Sequence, residues 1–510
     1  MKYSVVISDE LQSKLKQHLL RADGQEDLCF ALFNLSVGKE RTTALITEVL
    51  LPNSGDRNVH GNVSFNAEYF DRISLIALQK GSGVVFMHSH PSSGWQGMSD
   101  DDIKAEDMLS SRIKAVTGKP LVGMTIGTDE AWSARFWVKT APKIYERHFC
   151  ETVRIVGKGL RVTYYDKLIP KPYFNEAFAR TISAWGDQKQ GDISRLKIGI
   201  IGCGSVGSVI AEGLIKTGIQ HLVLIDFDTV EQKNLDRLQG VGPASVGKAK
   251  VFEIKAHLDR IKVDQKVKID ALPYSIIENQ GFLNALDCDV LFSCVDRPWP
   301  RFILNCIAYA HMIPVIDGGI DTNPNKHVTN LDQARWKAHV VNPHRRCLCC
   351  LGQYSPEDVA LEQSGLLEDQ TYIKSLPKDH FIHRGENVFA FSLGVAAMEM
   401  QQFLSLCLQP RGQYYGPKEF DFNTGTIDSD FPFNCNDNCS YKSMQGLGDM
   451  GTNGLIASHQ VAEEHRAKYI LSSIKQRNKT VFFADINSFL RKSILVLKKH
   501  LSFNTIFNPR

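Results

Sequence analysis

The sequence predicts an α/β protein of two units in series, a smaller α+β unit followed by a doubly wound parallel sheet. Three observations carry this. The 510 residues exceed one ordinary domain, so more than one folded unit is expected. The first 145 residues alternate short β-like runs (SVVI, CFALFNL, TTALITEVLL, GVVFMHSH, LVGMTIG, ARFWVK) with helical stretches, a mixture that suggests a mostly antiparallel sheet with helices against it. From about Lys197 a strict βα alternation takes over. Such alternation specifies parallel strands whose ligand lies beyond their carboxyl ends.

The elements follow in order. In the first unit DRISLIALQKG reads as a helix, because Ile73, Leu75, Ile76 and Leu78 give a roughly helical apolar face. In the second, strand KIGII leads to helix SVGSVIAEGLIKTG, strand HLVLID and helix KAKVFEIKAHLDRI. Strands VKIDAL and DVLFSC, helix RFILNCIAYAHM and strand PVIDGG come next. A helix is expected from Val388 to Leu408, then a Gly- and Asn-rich segment and a charged, amphipathic tail. The division is residues 1–145, a connecting helical segment 146–195, the parallel-sheet unit 196–440, and a helical extension 441–510.

Composition is that of a soluble globular chain, 43% hydrophobic and 23% charged. A net charge of +3, with no basic run interleaved with aromatics, gives no argument for nucleic acid. No signal peptide and no apolar stretch of about 18 residues stands out, so a cytoplasmic protein without a membrane span is expected. In a reducing compartment the twelve cysteines are read as buried thiols or metal ligands rather than disulfides.

Residues 86–102 read FMHSHPSSGWQGMSDDD. His88 and His90 alternate at a strand end, so both imidazoles project to one side. Ser99 and Asp102 follow as S-x-x-D at a helix start, with Asp101 as an alternative carboxylate. Two histidines and a carboxylate leave zinc an open position for water, the set of a catalytic site. Glu48, ending the run TALITEV, is the upstream candidate for a base. The competing reading is two strand-end histidines and a serine that caps a helix.

Gly202, Gly204 and Gly207 form a G-x-G-x-x-G loop directly after KIGII, where backbone can approach phosphates at a helix N-terminus. Asp226, ending the next strand, is expected to take ribose hydroxyls. Asn234, Arg237 and Lys250 follow, and triphosphate chemistry needs such cations on departing phosphates whereas hydride transfer does not. Asp296 ends DVLFSC, facing the same crevice with a carboxylate for Mg²⁺, and Arg180 upstream can supply one more cation. Cys347 and Cys350 make a C-x-x-C pair, and Cys435 and Cys439 a pair one residue wider, together a candidate structural zinc site.

The first motif set resembles the JAB/MPN metalloprotease family, whose members cleave bonds after ubiquitin-like C-termini. That resemblance implies zinc on His88, His90 and Asp102, Glu48 as general base and Ser99 as oxyanion stabiliser. The second set resembles the E1/ThiF/MoeB activating enzymes. It implies a Rossmann-like fold, ATP and Mg²⁺, with ribose on Asp226, the neighbouring Asp228 also at the nucleotide, phosphates on Asn234, Arg237 and Lys250, and Mg²⁺ at Asp296. It also implies a homodimer in which Arg180 acts on a neighbour's nucleotide. Together they imply a bacterial fusion, of a kind found in antiphage defence. One unit would mature or remove a ubiquitin-like modifier, and the other would adenylate it for an E2-like partner. The alternative is activation of a sulfur-carrier protein. The stretch between Gly352 and Met398, where such enzymes usually carry an acyl-accepting cysteine, holds none. Direct transfer to the E2, or an oxyester on Ser364 with Glu362 as base, is expected ahead of a Cys349 thioester.

Overall fold

The computed structural model describes residues 1–470 apart from residues 61, 175, 326–329, 378–379, 381, 383–386, 413–414 and 430–431. The chain opens with β1 (Lys2–Ser8) and α1 (Asp9–Leu19), capped by Ser8, whose side chain accepts the Leu11 N–H. It continues through β2 (Leu28–Val37), β3 (Arg41–Leu50), the hairpin β4 (Arg57–His60) and β5 (Asn62–Phe65), and α2 (Ala67–Lys80). Next come β6 (Gly83–Ser89), α3 (Asp100–Thr117), β7 (Leu121–Ile126), β8 (Trp132–Ala141), β9 (Ile144–Phe149), β10 (Thr152–Val156) and β11 (Leu160–Tyr164). Nine of these strands form one sheet, ordered β11-β10-β1-β3-β2-β6-β7-β8-β9. Period-two alternation divides its core residues between two faces. Val5, Ile7, Ala31 and Met87 pack with Leu15 and Leu19 of α1, while Phe30, Leu32 and Phe86 pack with Tyr69 and Ile73 of α2 and Ile113 of α3.

Two expectations are corrected here. The first unit does not end at residue 145, nor is 146–195 a purely helical connector: β10 and β11 extend the sheet to Tyr164, and β10 pairs in parallel with β1. The helix expected from Ile73, Leu75, Ile76 and Leu78 forms as α2, but it buries Tyr69, Phe70, Ile73 and Ala77, leaving Leu75 and Leu78 55% and 54% exposed.

The short helices α4 (Ala179–Trp185) and α5 (Asp187–Ser194) lead into β12 (Lys197–Ile201), α6 (Ser205–Thr217), β13 (His221–Ile225), α7 (Lys250–Ile261) and β14 (Lys268–Leu272). There follow α8 (Asn279–Leu286), β15 (Val290–Ser293), α9 (Pro298–Ala310), β16 (Val315–Asn325) and β17 (Asn330–Val341). The order closes with α10 (Pro356–Gln363), α11 (Gln370–Ser375), α12 (Phe389–Leu408), β18 (Lys418–Asp421) and β19 (Thr426–Asp428). The second sheet runs β14-β13-β12-β15-β16-β17-β18-β19. Its first five strands are parallel and the rest antiparallel. This is a doubly wound, Rossmann-like order, and its direction reverses between β12 and β15, where such sheets bind ligands.

Among the described residues α12 alone has the length and apolar character of a membrane span. It packs instead on β16, β17 and α6, with Glu399 and Gln402 buried.

A buried polar joint ties the two sheets. Asp289 accepts from Arg41 Nη1 at 2.6 Å and from the Lys197 N–H at 2.9 Å, and Arg154 Nη1 lies 3.3 Å away. Burial and the nearby Arg41 charge bring the Arg154 guanidinium down to about 9. Asp287 accepts the Glu40 and Arg41 N–H groups, and His311 bonds Ser36 at 2.7 Å and Thr452 at 3.0 Å.

Candidate functional sites

The first site stands where β6 ends. His88 is its penultimate residue and His90 follows it, so the pleat sends both rings the same way. Their Nε2 atoms are 3.1 Å apart. Asp102 arrives from the first turn of α3, its two oxygens each 3.3 Å from one histidine Nε2. Burial opposes its ionisation, but hydrogen bonds to His88 and His90 outweigh that and hold the carboxyl well below its usual range. The helix start fixes Asp102: Ser99 Oγ accepts the Asp102 N–H at 3.1 Å, and Asp102 Oδ2 accepts the Ser99 N–H at 2.8 Å. Asp101 is exposed and pairs with Lys104, so the ligand position falls to Asp102. One ligand atom from each of the three residues lies within 4.8 Å of the others, a donor set that fits zinc. Behind it, Thr125 Oγ1 is 3.5 Å from His88 Nε2 and accepts from Arg135 at 2.7 Å, and Arg135 pairs with the fully buried Glu106.

Glu48 does not join this group. On β3 it sits opposite Leu32, which pairs with Val84, four residues before His88. At the strand rise it is about 13 Å too far along, and it makes an ion pair with Lys80. The base assignment is therefore corrected. The β2–β6 register sets Leu28 opposite His88, and the Ser89 N–H bonds the Asp27 carbonyl at 3.0 Å, which carries the pairing on to Glu26 opposite His90. Glu26 is half-buried there. The sequence signal was a glutamate just ahead of the strand LCFALF.

The second site lies at the carboxyl ends of β12, β13 and β15. A side chain at Gly202, where φ is +89°, would meet the Cys294 carbonyl at 2.4 Å, and one at Gly207 would meet the Gly202 carbonyl at 2.0 Å. Gly204 faces open space. The loop is thus bare backbone at the N-terminus of α6, suited to phosphate. Asp226 is 9% exposed and holds this loop: its oxygens accept the Cys203 N–H at 2.6 Å and the Asp228 N–H at 2.7 Å. Burial pushes its carboxyl up. Asp228 is the more open carboxylate, bonded to Lys250 Nζ at 2.8 Å. Burial works against the Lys250 charge, but Asp226 and Asp228 overcome it, with Asp296 contributing, and raise its pKa. Asp296 is exposed between β15 and α9. Asn234 accepts the Glu231 N–H at 2.9 Å, and Arg237 donates to the Lys233 carbonyl and to Asp236. Both therefore shape the loop after β13. Arg180 is exposed on α4.

The oxyester pair is also corrected. Glu362 accepts the Trp299 N–H at 2.8 Å, at the start of α9, while Ser364 donates to the Leu361 carbonyl, so the carboxylate does not activate the hydroxyl. Burial raises the Cys349 thiol and pushes Cys407 up to about 12, which leaves neither a ready thiolate. Cys347, Cys350, Cys435 and Cys439 come together with their sulfurs all within 4.8 Å. The Cys347 N–H points at Cys435 Sγ (3.1 Å) and the Cys350 N–H at Cys347 Sγ (3.3 Å), an arrangement that stabilises thiolates and fits a structural zinc.

Comparison with known proteins gives a family profile described as the ThiF family, matching residues 178–493, more than half of the chain. Among curated proteins the chain is similar to ubiquitin-like modifier-activating enzyme 5 of Drosophila erecta, 31% identical over 136 residues, covering 25% of this chain and 34% of that one. The same enzyme from Bombyx mori is 37% identical over 119 residues, covering 21% and 30%. The adenylyltransferase and sulfurtransferase UBA4 of Meyerozyma guilliermondii is 27% identical over 141 residues, covering 28% and 33%. The chain thus spans about a third of the length of these relatives. Among solved structures it is similar to E. coli MccB with ATP, with a TM-score of 0.39 and 18% identity over 53% of this chain and 75% of that one.

Proposed function

The chain belongs to the ThiF family, and on that premise we propose that its second unit uses ATP to adenylate the C-terminal carboxylate of a ubiquitin-like or sulfur-carrier protein. The observation that carries this reading is Lys250, a buried cation held on Asp228 beside a loop whose Gly207 has no room for a side chain. In the reaction a carboxylate oxygen of the modifier attacks the α-phosphorus, the bond to the bridging oxygen breaks, and pyrophosphate leaves. Lys250 offsets the charge that grows on the leaving group, and the N–H groups of the glycine loop orient the phosphates. Asp228 takes the ribose hydroxyls. Mg²⁺, which Asp296 would help hold, supplies further neutralisation of the phosphates. Arg237 steadies the loop, and Arg180 acts across a homodimer. The names of the relatives from Drosophila and Bombyx favour a ubiquitin-like modifier as the substrate, and on this proposal the adenylate passes directly to an E2-like cysteine. The relative from Meyerozyma favours sulfur-carrier activation as the alternative.

The first unit acts, on this reading, as a JAB/MPN-type zinc (iso)peptidase that trims or removes the same modifier. Its support is the convergence of His88, His90 and Asp102. Zinc there supplies a Lewis acid that makes water nucleophilic near neutral pH. Glu26 would take a proton from the attacking water and deliver it to the leaving amine, and the Ser99 hydroxyl would donate to the oxyanion.

Two assays test the pair. ATP–pyrophosphate isotope exchange should appear only when a small protein ending in glycine is added, and exchange without any such protein, or none with a panel of them, would sink the adenylation reading. Cleavage of a fusion carrying a short C-terminal extension should be lost in Glu26→Gln and retained in Glu48→Gln. The opposite pattern returns the base to Glu48.

A further inference from the structure

Resting on the adenylation reading and deepening it, we infer that the segment from Leu455 to Ile470 forms the wall of the nucleotide crevice on the side of the purine base. The glycine loop takes phosphate after β12 and Asp228 takes ribose after β13, so the base extends outward toward the end of β14. That end of the sheet carries Phe227 after β13 and Tyr274 after β14, Trp299 stands across the crevice at the start of α9, and the segment touches all three.

Its contacts are specific. The Ala457 N–H bonds the Ile277 carbonyl at 3.1 Å, and residues 460–470 are helical. The His459 ring meets Phe227 edge-on, with centroids 5.0 Å apart at 83°, and Trp299 at 6.3 Å and 86°. The His465 ring is 5.7 Å from Phe227, and its Nδ1 lies 3.8 Å from Asp228 Oδ1, on the carboxylate whose other oxygen holds Lys250. Arg466 anchors the helix: Nη1 bonds Glu278 Oε2 at 2.7 Å and the Pro273 carbonyl at 3.3 Å, and its guanidinium lies 4.6 Å over the Tyr274 ring. One turn on, Tyr469 packs 5.4 Å from Phe252 of α7.

Two features make this wall a binding surface. Aromatic and imidazole rings gather on it, and flat apolar rings with a few polar atoms suit a purine. Among the described residues the Nδ1 atoms of His459 and His465 are also buried without a hydrogen-bond partner. Buried polar atoms are ordinarily paired, and the ring nitrogens and amino group of adenine supply the missing partners. Burial keeps the His459 imidazole below its usual pKa, hence neutral and able to accept as well as donate. The glycine loop and Lys250 make the phosphate end of the site, and the segment reaches that end through the His465–Asp228 contact.

That division gives the test. Calorimetric titration of the full chain with Mg·ATP and, separately, with Mg·tripolyphosphate compares a ligand that reaches the wall with one that does not. Arg466→Ala, which releases the wall, and His465→Ala, which alters its face, should each weaken ATP about tenfold and leave tripolyphosphate unchanged, with Arg466→Lys recovering part of the loss. Unchanged ATP affinity overturns the inference. Tighter ATP binding also overturns it, since the segment would then be a plug. Equal weakening of both ligands overturns it in favour of a structural role. A wild-type chain that binds tripolyphosphate but not ATP, or neither, sinks the adenylation reading and this inference with it.

Discussion

Asp289→Ala should unfasten the two sheets. Its carboxylate is the counterion of Arg41 at 2.6 Å and Arg154 at 3.3 Å, and both guanidiniums are almost fully buried. At an effective dielectric of about 20 those separations correspond to about 6 and about 5 kcal/mol of gross attraction. Desolvating the ions offsets much of that, and removing one member of a buried ion pair costs about 3–5 kcal/mol. The alanine variant also sets two unpaired cations beside each other, so the upper part of that range is expected. Asp289→Asn keeps an oxygen for Arg41 and should fall between wild type and alanine. Equilibrium urea unfolding of the full chain reads the effect by tryptophan fluorescence, because Trp132 and Trp137 lie in the first sheet and Trp299 and Trp336 with the second. The variant should unfold in two resolved steps as the sheets part company. A single transition with a stability loss under about 1 kcal/mol refutes the reasoning.

Other outcomes follow from single groups. Burial pushes the Glu362 carboxyl from 4.5 up to about 7. Between those values the unfolded chain gives up a proton that the folded one keeps, so stability falls as pH rises through the window, on the order of 2–3 kcal/mol. Glu362→Gln should flatten that slope, and an unchanged slope in thermal melts from pH 4.5 to 8 counts against it. Lys250→Ala should cut pyrophosphate exchange on the order of 10²-fold or more in the folded protein, and retained exchange would remove Lys250 from the phosphate site. Metal analysis should find two zinc ions per chain. Cys347→Ser and His88→Ala should each lose one, and Cys347→Ser retaining both would return the four cysteines to ordinary thiols.

What the sequence disclosed was what neighbouring residues decide. A histidine pair two apart on a strand and a carboxylate three residues into a capped helix are local patterns, and His88, His90 and Asp102 meet as their spacing implies. The βα alternation likewise predicts the order of parallel strands from β12 to β16. Residues whose partners lie far away were misread. Glu48 looks like a site residue in TALITEV, but the registers of β3 on β2 and of β2 on β6 set it away from His88 and bring Glu26 opposite His90, and no local signal carries those registers. For Asp226, at the end of its strand, the sequence did not disclose that its oxygens accept backbone N–H groups, one of them 23 residues upstream. The strands β10 and β11 are five residues each, too short for periodicity to separate them from a connector, and only their pairing onto β1 defines them.

The joint between the sheets also sets a schedule. Arg41 and Asp289 are separated by 248 positions along the chain. At a synthesis rate of about 5–20 residues per second, roughly 12–50 s pass between the emergence of the first and that of the second. From the emergence of Tyr164, which ends β11, until that of Asp289, the nascent first sheet has every strand but carries two arginines, Arg41 and Arg154, whose shared counterion does not yet exist. In that state water stays around both cations, so the face of the first sheet that carries them closes only when the second half is made. Synthesis and docking are therefore linked at this point: the joint face of the half that leaves the ribosome first waits for one aspartate of the half that leaves last.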